Sequence, residues 1–181
     1  MTRRTAPLLG LSCVAAFALA VLLAPPSARA DTGTVGLSVG ALVIDSQSST
    51  EIMPTLRAEA SLRLAGPLYG GAFLQATGES LPLSNAHVAG GLFATLRFDL
   101  PGVGLKLFAS GEAGRIAIPS QSQGSVDAWS ASAVGGIDLP MLDGKLWLDV
   151  RAGHTWLFAR SSPTVGAGAW TASVGVTVPL D

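Results

Sequence analysis

Charged side chains stand inside otherwise apolar stretches of this chain, and they are its first candidates for chemistry. Arg57 and Glu59 are two residues apart, and so are Asp149 and Arg151. Residues at this spacing lie on the same face of a β-strand, and buried charges persist there only when they are paired and hydrogen-bonded. Such a cluster can act as a gate or ion path, or it can be polar packing that fills an interior. We favour polar packing and keep the ion path as the alternative.

His154 is a second candidate, because the pattern places this polar side chain on an apolar face, next to Thr155 and Trp156. An enzyme that acts on lipids would carry a catalytic base in such a position. A histidine beside aromatic residues also serves as a simple interfacial side chain, and we prefer that interpretation. The sequence does not place a nucleophile, a base and an orienting group together. We therefore expect a non-enzymatic protein and keep His154 as a weak catalytic candidate.

The residue pattern gives no indication of a cofactor or a metal site. No group of Cys or His residues has the spacing of metal ligands, and the 22 glycines are scattered instead of forming a phosphate-binding loop. The single cysteine, Cys13, falls within the first thirty residues, so the remainder of the chain has no thiol for a disulfide. We expect neither a cofactor nor a metal.

Eight segments of alternating apolar and polar residues must position the charged side chains. The clearest segment, Thr55 to Ala65, has Leu56, Ala58, Ala60, Leu62 and Leu64 on one face and Arg57, Glu59, Ser61 and Arg63 on the other. A period of two indicates a strand. Tight connections with Pro or Gly follow the second, fourth and sixth segments. Longer, Ser-rich connections such as Pro119 to Gly124 follow the odd-numbered ones.

This pattern predicts an all-β fold, a closed eight-stranded antiparallel up-and-down transmembrane β-barrel. An open sheet edge would leave backbone groups unpaired in lipid, so the last strand must pair with the first. We predict that the apolar faces point outward and that a lumen charge network consists of Arg57, Glu59, Arg63, Arg97, Lys106, Glu112, Asp127, Asp149 and Arg151. Interface aromatics are predicted at Phe98, Trp129, Trp156, Phe158 and Trp170.

Residues 1–30 are predicted to be a cleaved signal peptide. Two arginines precede an apolar run from Leu8 to Ala24, and Ala28-Arg29-Ala30 is a small-x-small cleavage site. Residues 31–181 then form the barrel, which we expect in the outer membrane after export through the inner membrane. This part carries eight basic residues against twelve acidic ones, a net charge of −4, without a basic run. Nucleic acid is therefore not an expected partner.

The signal peptide and eight alternating strands together resemble the OmpA-like and OmpX-like class of small outer-membrane barrels, over essentially all of residues 31–181. The resemblance implies a Gram-negative cell envelope, with outer-membrane lipids and lipopolysaccharide as partners and outer loops that can contact a surface ligand. Members of such families are variously adhesins, resistance factors, membrane anchors and lipid-modifying enzymes. We predict an envelope-structural or surface-interaction role.

Two alternatives stay open beside that role. The first is a lipid A-modifying enzyme of the deacylase kind, and the second is a narrow ion channel. The deacylases carry a His-x-Ser arrangement, whereas this chain has Thr155 and Trp156 after His154. The oligomeric state is left without a prediction.

Overall fold

A computed structural model describes residues 32–45, 50–78, 86–120, 124–159 and 168–180. The predicted signal peptide lies outside these residues. The described chain is almost entirely strand, with one short 3-10 turn at Leu142–Gly144. The strands are β1 (Gly33–Asp45), β2 (Thr50–Ala65), β3 (Leu68–Thr77), β4 (His87–Leu100), β5 (Leu105–Ser120), β6 (Gly124–Met141), β7 (Leu146–Ala159) and β8 (Gly168–Leu180). In the described part, no helix is long and apolar enough to cross a membrane.

The eight strands form a closed barrel in which each strand pairs with its neighbours in sequence. β1 closes the ring, because it pairs antiparallel with both β2 and β8. Val39, for example, stands opposite Leu56 on one side and Val174 on the other. Closure leaves no sheet edge with unpaired N–H and C=O groups. The predicted closed, eight-stranded, antiparallel architecture is confirmed.

Side chains alternate between the two surfaces of the wall, and the apolar ones point outward. Leu62 and Leu92 are 62% and 69% exposed, whereas Glu59, on the other face of the wall, is only 5% exposed. A water-soluble barrel would show the reverse, since burying apolar area is the main driving force of folding in water. The wall is therefore apolar on its outer surface and carries most of its strand charges inside.

The lumen contains two apolar clusters in addition to its polar side chains. Short turns at 66–67, 101–104 and 142–145 join the strands at one end, called the turn end, and the opposite end is called the loop end. Near the loop end, Leu42, Met53 and Ala169 pack together inside the barrel. A second inward cluster contains Phe73, Ala89 and Phe93, with Ile116 packed against it. These apolar residues, which the alternation assigned to the polar face, thus occupy part of the upper lumen, the part toward the loop end.

Two inward-facing glycines make room for phenyl rings on the neighbouring strand. Phe108 stands directly opposite Gly136, and Phe93 stands directly opposite Gly71. A Cβ added at Gly136 would lie 2.5 Å from the Phe108 ring and 2.3 Å from the Val150 carbonyl oxygen. Only glycine permits this close approach.

The strands extend further toward the loop end than the hydrophobic pattern predicts. The Ser-rich segment from Pro119 to Gly124 was predicted as a connection. In the structure Pro119 pairs with Ser125 and Ser120 pairs with Gly124, so that only residues 121–123 separate β5 from β6. Backbone pairing continues after the apolar–polar alternation stops, because hydrogen bonds in the ladder do not depend on side-chain polarity.

Candidate functional site

Glu59 lies at the centre of a buried ion-pair cluster in the lumen. Arg151 donates from Nη1 to Glu59 Oε2 at 2.7 Å and from Nη2 to Oε1 at 2.9 Å. Arg57 donates from Nε to Glu59 Oε2 at 2.9 Å. A guanidinium and a carboxylate that share two parallel hydrogen bonds form one of the strongest polar contacts in proteins. Strands β2 and β7, which are not neighbours in the wall, are joined in this way.

Each arginine also binds a second carboxylate. Arg57 donates from Nη1 and Nη2 to the two Glu112 oxygens at 2.9 and 2.8 Å. Arg151 donates from Nε and Nη2 to the two Asp149 oxygens at 2.6 and 2.8 Å. Negative and positive groups therefore alternate in the order Glu112, Arg57, Glu59, Arg151, Asp149. We call these five residues the charge ladder.

The charge ladder is almost completely removed from solvent. Glu112, Arg57 and Glu59 are buried, and Asp149 is only 1% exposed. Aromatic rings cover the guanidinium groups, with Arg57 Cζ 4.2 Å from the Phe73 ring centroid and Arg151 Cζ 5.5 Å from that of Phe108. Buried ions lose their hydration, and full pairing of every member offsets that cost.

Asp138 is a lumen residue that the predicted network lacks. It is 2% exposed, stands opposite Asp149 in the pairing of β6 with β7, and has Oδ2 3.5 Å from Arg97 Nε. Arg97 also donates to Thr34 Oγ1 at 3.4 Å and lies 5.1 Å from the Tyr69 ring centroid. Counting by twos already places Asp138 on the inward face. Its pairing register with Asp149 is the signal that the sequence alone does not display.

Lys106 and Arg63 lie nearer the turn end than the charge ladder. Lys106 Nζ is 4.5 Å from the Trp147 ring centroid and 3.7 Å from an Asp99 oxygen, and the Asp99 side chain is 83% exposed. Arg63 is exposed and donates from Nε to the Gly66 carbonyl oxygen. Arg63 lies beside a register irregularity at the end of β2, and its described hydrogen bond goes to this turn carbonyl.

The assignment of Asp127 to the lumen network stays a prediction. β6 runs without interruption from Gly124, and Asp127 pairs with Ala117 while Trp129 pairs with Arg115. The Asp127 side chain itself lies outside the described residues.

His154 lies on the outward face between two indole rings. Its ring centroid is 4.7 Å from that of Trp156 and 4.9 Å from that of Trp170. The ring also lies over Gly168, where an added Cβ would be 2.5 Å away. The buried Nδ1 has no hydrogen-bond partner among the described residues. The contacts that the structure shows for His154 are therefore ring contacts with the two tryptophans on the outward surface.

The predicted interface aromatics all point outward and are exposed, but they are unevenly distributed. Trp129, Trp156, Phe158 and Trp170 lie on the adjacent strands β6, β7 and β8 near the loop end. Phe98 lies on β4 near the turn end. Four of these residues thus form one patch instead of a ring around the barrel.

A cavity of about 70 Å³ lies in the lumen between the charge ladder and the apolar clusters of the loop end. Arg57, Glu112 and Arg151 form its floor, and the hydroxyls of Ser38 and Ser130 line its wall. Its volume corresponds to about five water molecules. This part of the lumen is therefore a small chamber that is lined by both polar and apolar side chains and ends at the paired charges.

Three solved structures resemble this barrel. Neisserial surface protein A superimposes with a TM-score of 0.65 at 14% identity, over 81% of this chain and 96% of that protein. The fold is that of the small outer-membrane β-barrels. The N-terminal β-barrel domain of Pseudomonas aeruginosa OprF gives 0.53 at 16% identity, over 79% and 96%, and the attachment invasion locus protein Ail of Yersinia pestis gives 0.54 at 9%, over 82% and 99%.

The likeness to these outer-membrane barrels concerns the fold, given the low identities. No protein-family model matches the sequence, and no curated protein matches it in a sequence comparison.

Proposed function

We propose that this protein is a non-enzymatic outer-membrane barrel that supports the envelope or contacts its surroundings through its outer loops. The inversion of the wall is the observation that carries the proposal, since apolar side chains face outward while Glu59 and Arg151 are paired inside. Lipid is the solvent that such an outer surface suits. A soluble ligand-binding barrel would need an apolar interior and a polar exterior.

The four tryptophans of the chain provide the test of this inversion. Trp129, Trp156 and Trp170 point outward, whereas Trp147 points into the lumen next to Lys106. In vesicles with brominated acyl chains, a variant that keeps only Trp147 is expected to retain its fluorescence. The matched Trp147→Phe variant, which keeps the three outer indoles, is expected to be strongly quenched.

Two further readouts complete this experiment. The protein should sediment with the outer-membrane fraction, and its unheated form should migrate differently from the boiled form on a gel, as a closed barrel does. Equal quenching of the inner and outer indoles, or migration that heating leaves unchanged, would contradict the proposal.

The charge ladder favours a lumen that does not conduct ions over the narrow-channel alternative. The cavity ends at Arg57, Glu112 and Arg151, and every described ladder group is held by a partner. We expect the reconstituted protein to be electrically silent in planar bilayers. The conductance of the Arg151→Ala variant, in which the loss of the guanidinium opens space beside the cavity, is compared with that of the unaltered protein. Regular single-channel steps in the unaltered protein that vanish in a Glu59→Gln variant would favour the channel.

A further inference from the structure

The alternation of charges inside the lumen breaks at one place, between Asp149 and Asp138. The charge ladder runs from Glu112 to Asp149 with an arginine between successive carboxylates. The next charged side chain is a further carboxyl group, because Asp138 stands directly opposite Asp149 in the pairing of β6 with β7. Side chains at such positions have Cβ atoms about 5 Å apart, and the two carboxyl groups lie within reach of a hydrogen bond. We call Asp138 and Asp149 the acid pair.

The acid pair is almost fully buried, with each side chain at most 2% exposed. Both Asp149 oxygens accept hydrogen bonds from Arg151. Asp138 Oδ1 is buried and has no hydrogen-bond partner among the described residues. Two ionised carboxylates cannot bond to each other, because each of them only accepts. With both groups ionised, an oxygen would stay unbonded beside a like charge in a buried place, and both features cost free energy.

The arginines near the acid pair are shared with other groups. Arg151 on β7 binds Glu59 as well as Asp149. Arg97 on β4 has Nε 3.5 Å from Asp138 Oδ2 and lies 5.1 Å from the Tyr69 ring centroid on β3. In the charge ladder and the acid pair together, three arginines face four carboxyl groups. One negative charge is therefore in excess among these seven residues.

Lys106 is the other cation at this level of the lumen. It stands directly opposite Asp138 in the pairing of β5 with β6, while its Nζ is 3.7 Å from an Asp99 oxygen and 4.5 Å from the Trp147 ring centroid. On β8, Gly175 stands opposite Asp149 and brings no charge. The excess negative charge can thus be neutralised by a proton within the acid pair or by the Lys106 ammonium.

We propose that the acid pair holds one proton between its two carboxyl groups and forms a pH-sensitive contact between β6 and β7. A protonated carboxyl group donates one O–H, and a carboxylate oxygen accepts more than one hydrogen bond. Asp149 can therefore accept this bond beside those from Arg151. The proton takes the place of the missing cation and restores the alternation of charge. When the proton leaves at high pH, the hydrogen bond becomes a repulsion between like charges.

Infrared spectroscopy of the protein folded in phosphatidylcholine vesicles detects the shared proton, since a protonated carboxyl group has a carbonyl stretch of its own. At neutral pH the unaltered protein is expected to show this band, and raising the pH should remove it. Asp138→Asn should lack the band. Asp149→Asn should lack it too, because Asp138 then faces Arg97 without a neighbouring negative charge and ionises. The matched control Asp99→Asn, which removes a carboxylate whose side chain is 83% exposed, should keep the band.

The same variants test the contact through stability. A proton that the folded barrel keeps and the unfolded chain has lost makes folding less favourable as the pH rises. Unfolded aspartates ionise near about pH 4. Above that pH, the unfolding equilibrium constant of the unaltered protein should rise about tenfold per pH unit until the acid pair ionises. Asp138→Asn should abolish this rise and Asp99→Asn should retain it, with His87 and His154 contributing equally to all of these proteins.

Each outcome bears on the sharing of the proton. Absence of the band from the unaltered protein at neutral pH would overturn the proposal in favour of Lys106 as the partner of Asp138. A band that survives in Asp149→Asn would overturn the sharing, since Asp138 would then be protonated through burial alone. If a variant does not fold, the loss of the band with rising pH in the unaltered protein decides. The proposal needs only the closed barrel, so its failure leaves the proposed function standing.

Discussion

At the scale of single residues, Arg151 tests the charge ladder, because it joins two of the ladder's carboxylates. It holds Glu59 and Asp149, both buried. We predict that Arg151→Met lowers the free energy of unfolding by about 3–5 kcal/mol, because the buried Asp149 would lose the arginine that it binds in the ladder and Glu59 would keep only Arg57. Urea titration of the folded barrel in vesicles, followed by tryptophan fluorescence, measures this change.

Arg63→Met is the matched control for this prediction. Arg63 is exposed and its one described hydrogen bond goes to a turn carbonyl. We expect a change within about 0.5 kcal/mol, as for most surface substitutions. If Arg151→Met were no more costly than Arg63→Met, the ladder would contribute nothing to stability.

The sequence could predict which face most charged residues occupy, but not their partners. Alternation by twos puts Arg57, Glu59 and Arg151 on the inward face, and depth along the strands suggests which lie at one level. Partner choice depends on the register of β2 against β7, strands with two others between them in the wall.

At the scale of elements, the pairing of β5 with β6 depends on a glycine that lies under a ring. We predict that Gly136→Ala lowers the free energy of unfolding by about 1–3 kcal/mol, the usual cost of overpacking. The added methyl group would meet the Phe108 ring and the Val150 carbonyl. Urea titration again provides the measurement.

Gly111→Ala tests the same chemical change one strand away. A Cβ added at Gly111, which is exposed on the outward face of β5, would meet no atom within 4 Å. We expect the variant to be unchanged or up to about 1 kcal/mol more stable, because alanine loses less backbone entropy than glycine on folding. A loss at Gly111 equal to that at Gly136 would show that the ring contact is not the cause.

The strands themselves were predictable, and their ends were less so. Alternation locates β2 because its polar and apolar residues change at every position from Leu56 to Leu64. The pairing of Pro119 with Ser125 could not be predicted in this way, since neither residue carries the pattern. The turn at 142–145 was expected from Pro140 and Gly144. Its left-handed residue Leu142, at φ 51°, has no sequence signal, because such a conformation is unusual for leucine.

At the scale of the whole molecule, closure of the ring followed from a physical argument rather than from any motif. Apolar outward faces on all eight segments require lipid, and lipid forbids an unpaired edge, so β8 had to meet β1. The structure pairs Val39 of β1 with Val174 of β8. The upper lumen was harder to predict, because Leu42 and Met53 interrupt the polar face and period alone would call them misplaced.

The charge ladder also cross-links the barrel wall through its interior. Backbone hydrogen bonds join each strand only to its neighbours in the wall. The ion pairs of Arg57 with Glu112 and of Glu59 with Arg151 instead cross the lumen and join residues 55 and 92 positions apart in the sequence. Cross-links of fixed length keep the barrel cross-section round, so it resists flattening under the lateral pressure of the surrounding bilayer. These ion pairs also cannot form before the barrel has closed, so the final curvature of the wall depends on the pairing of β1 with β8.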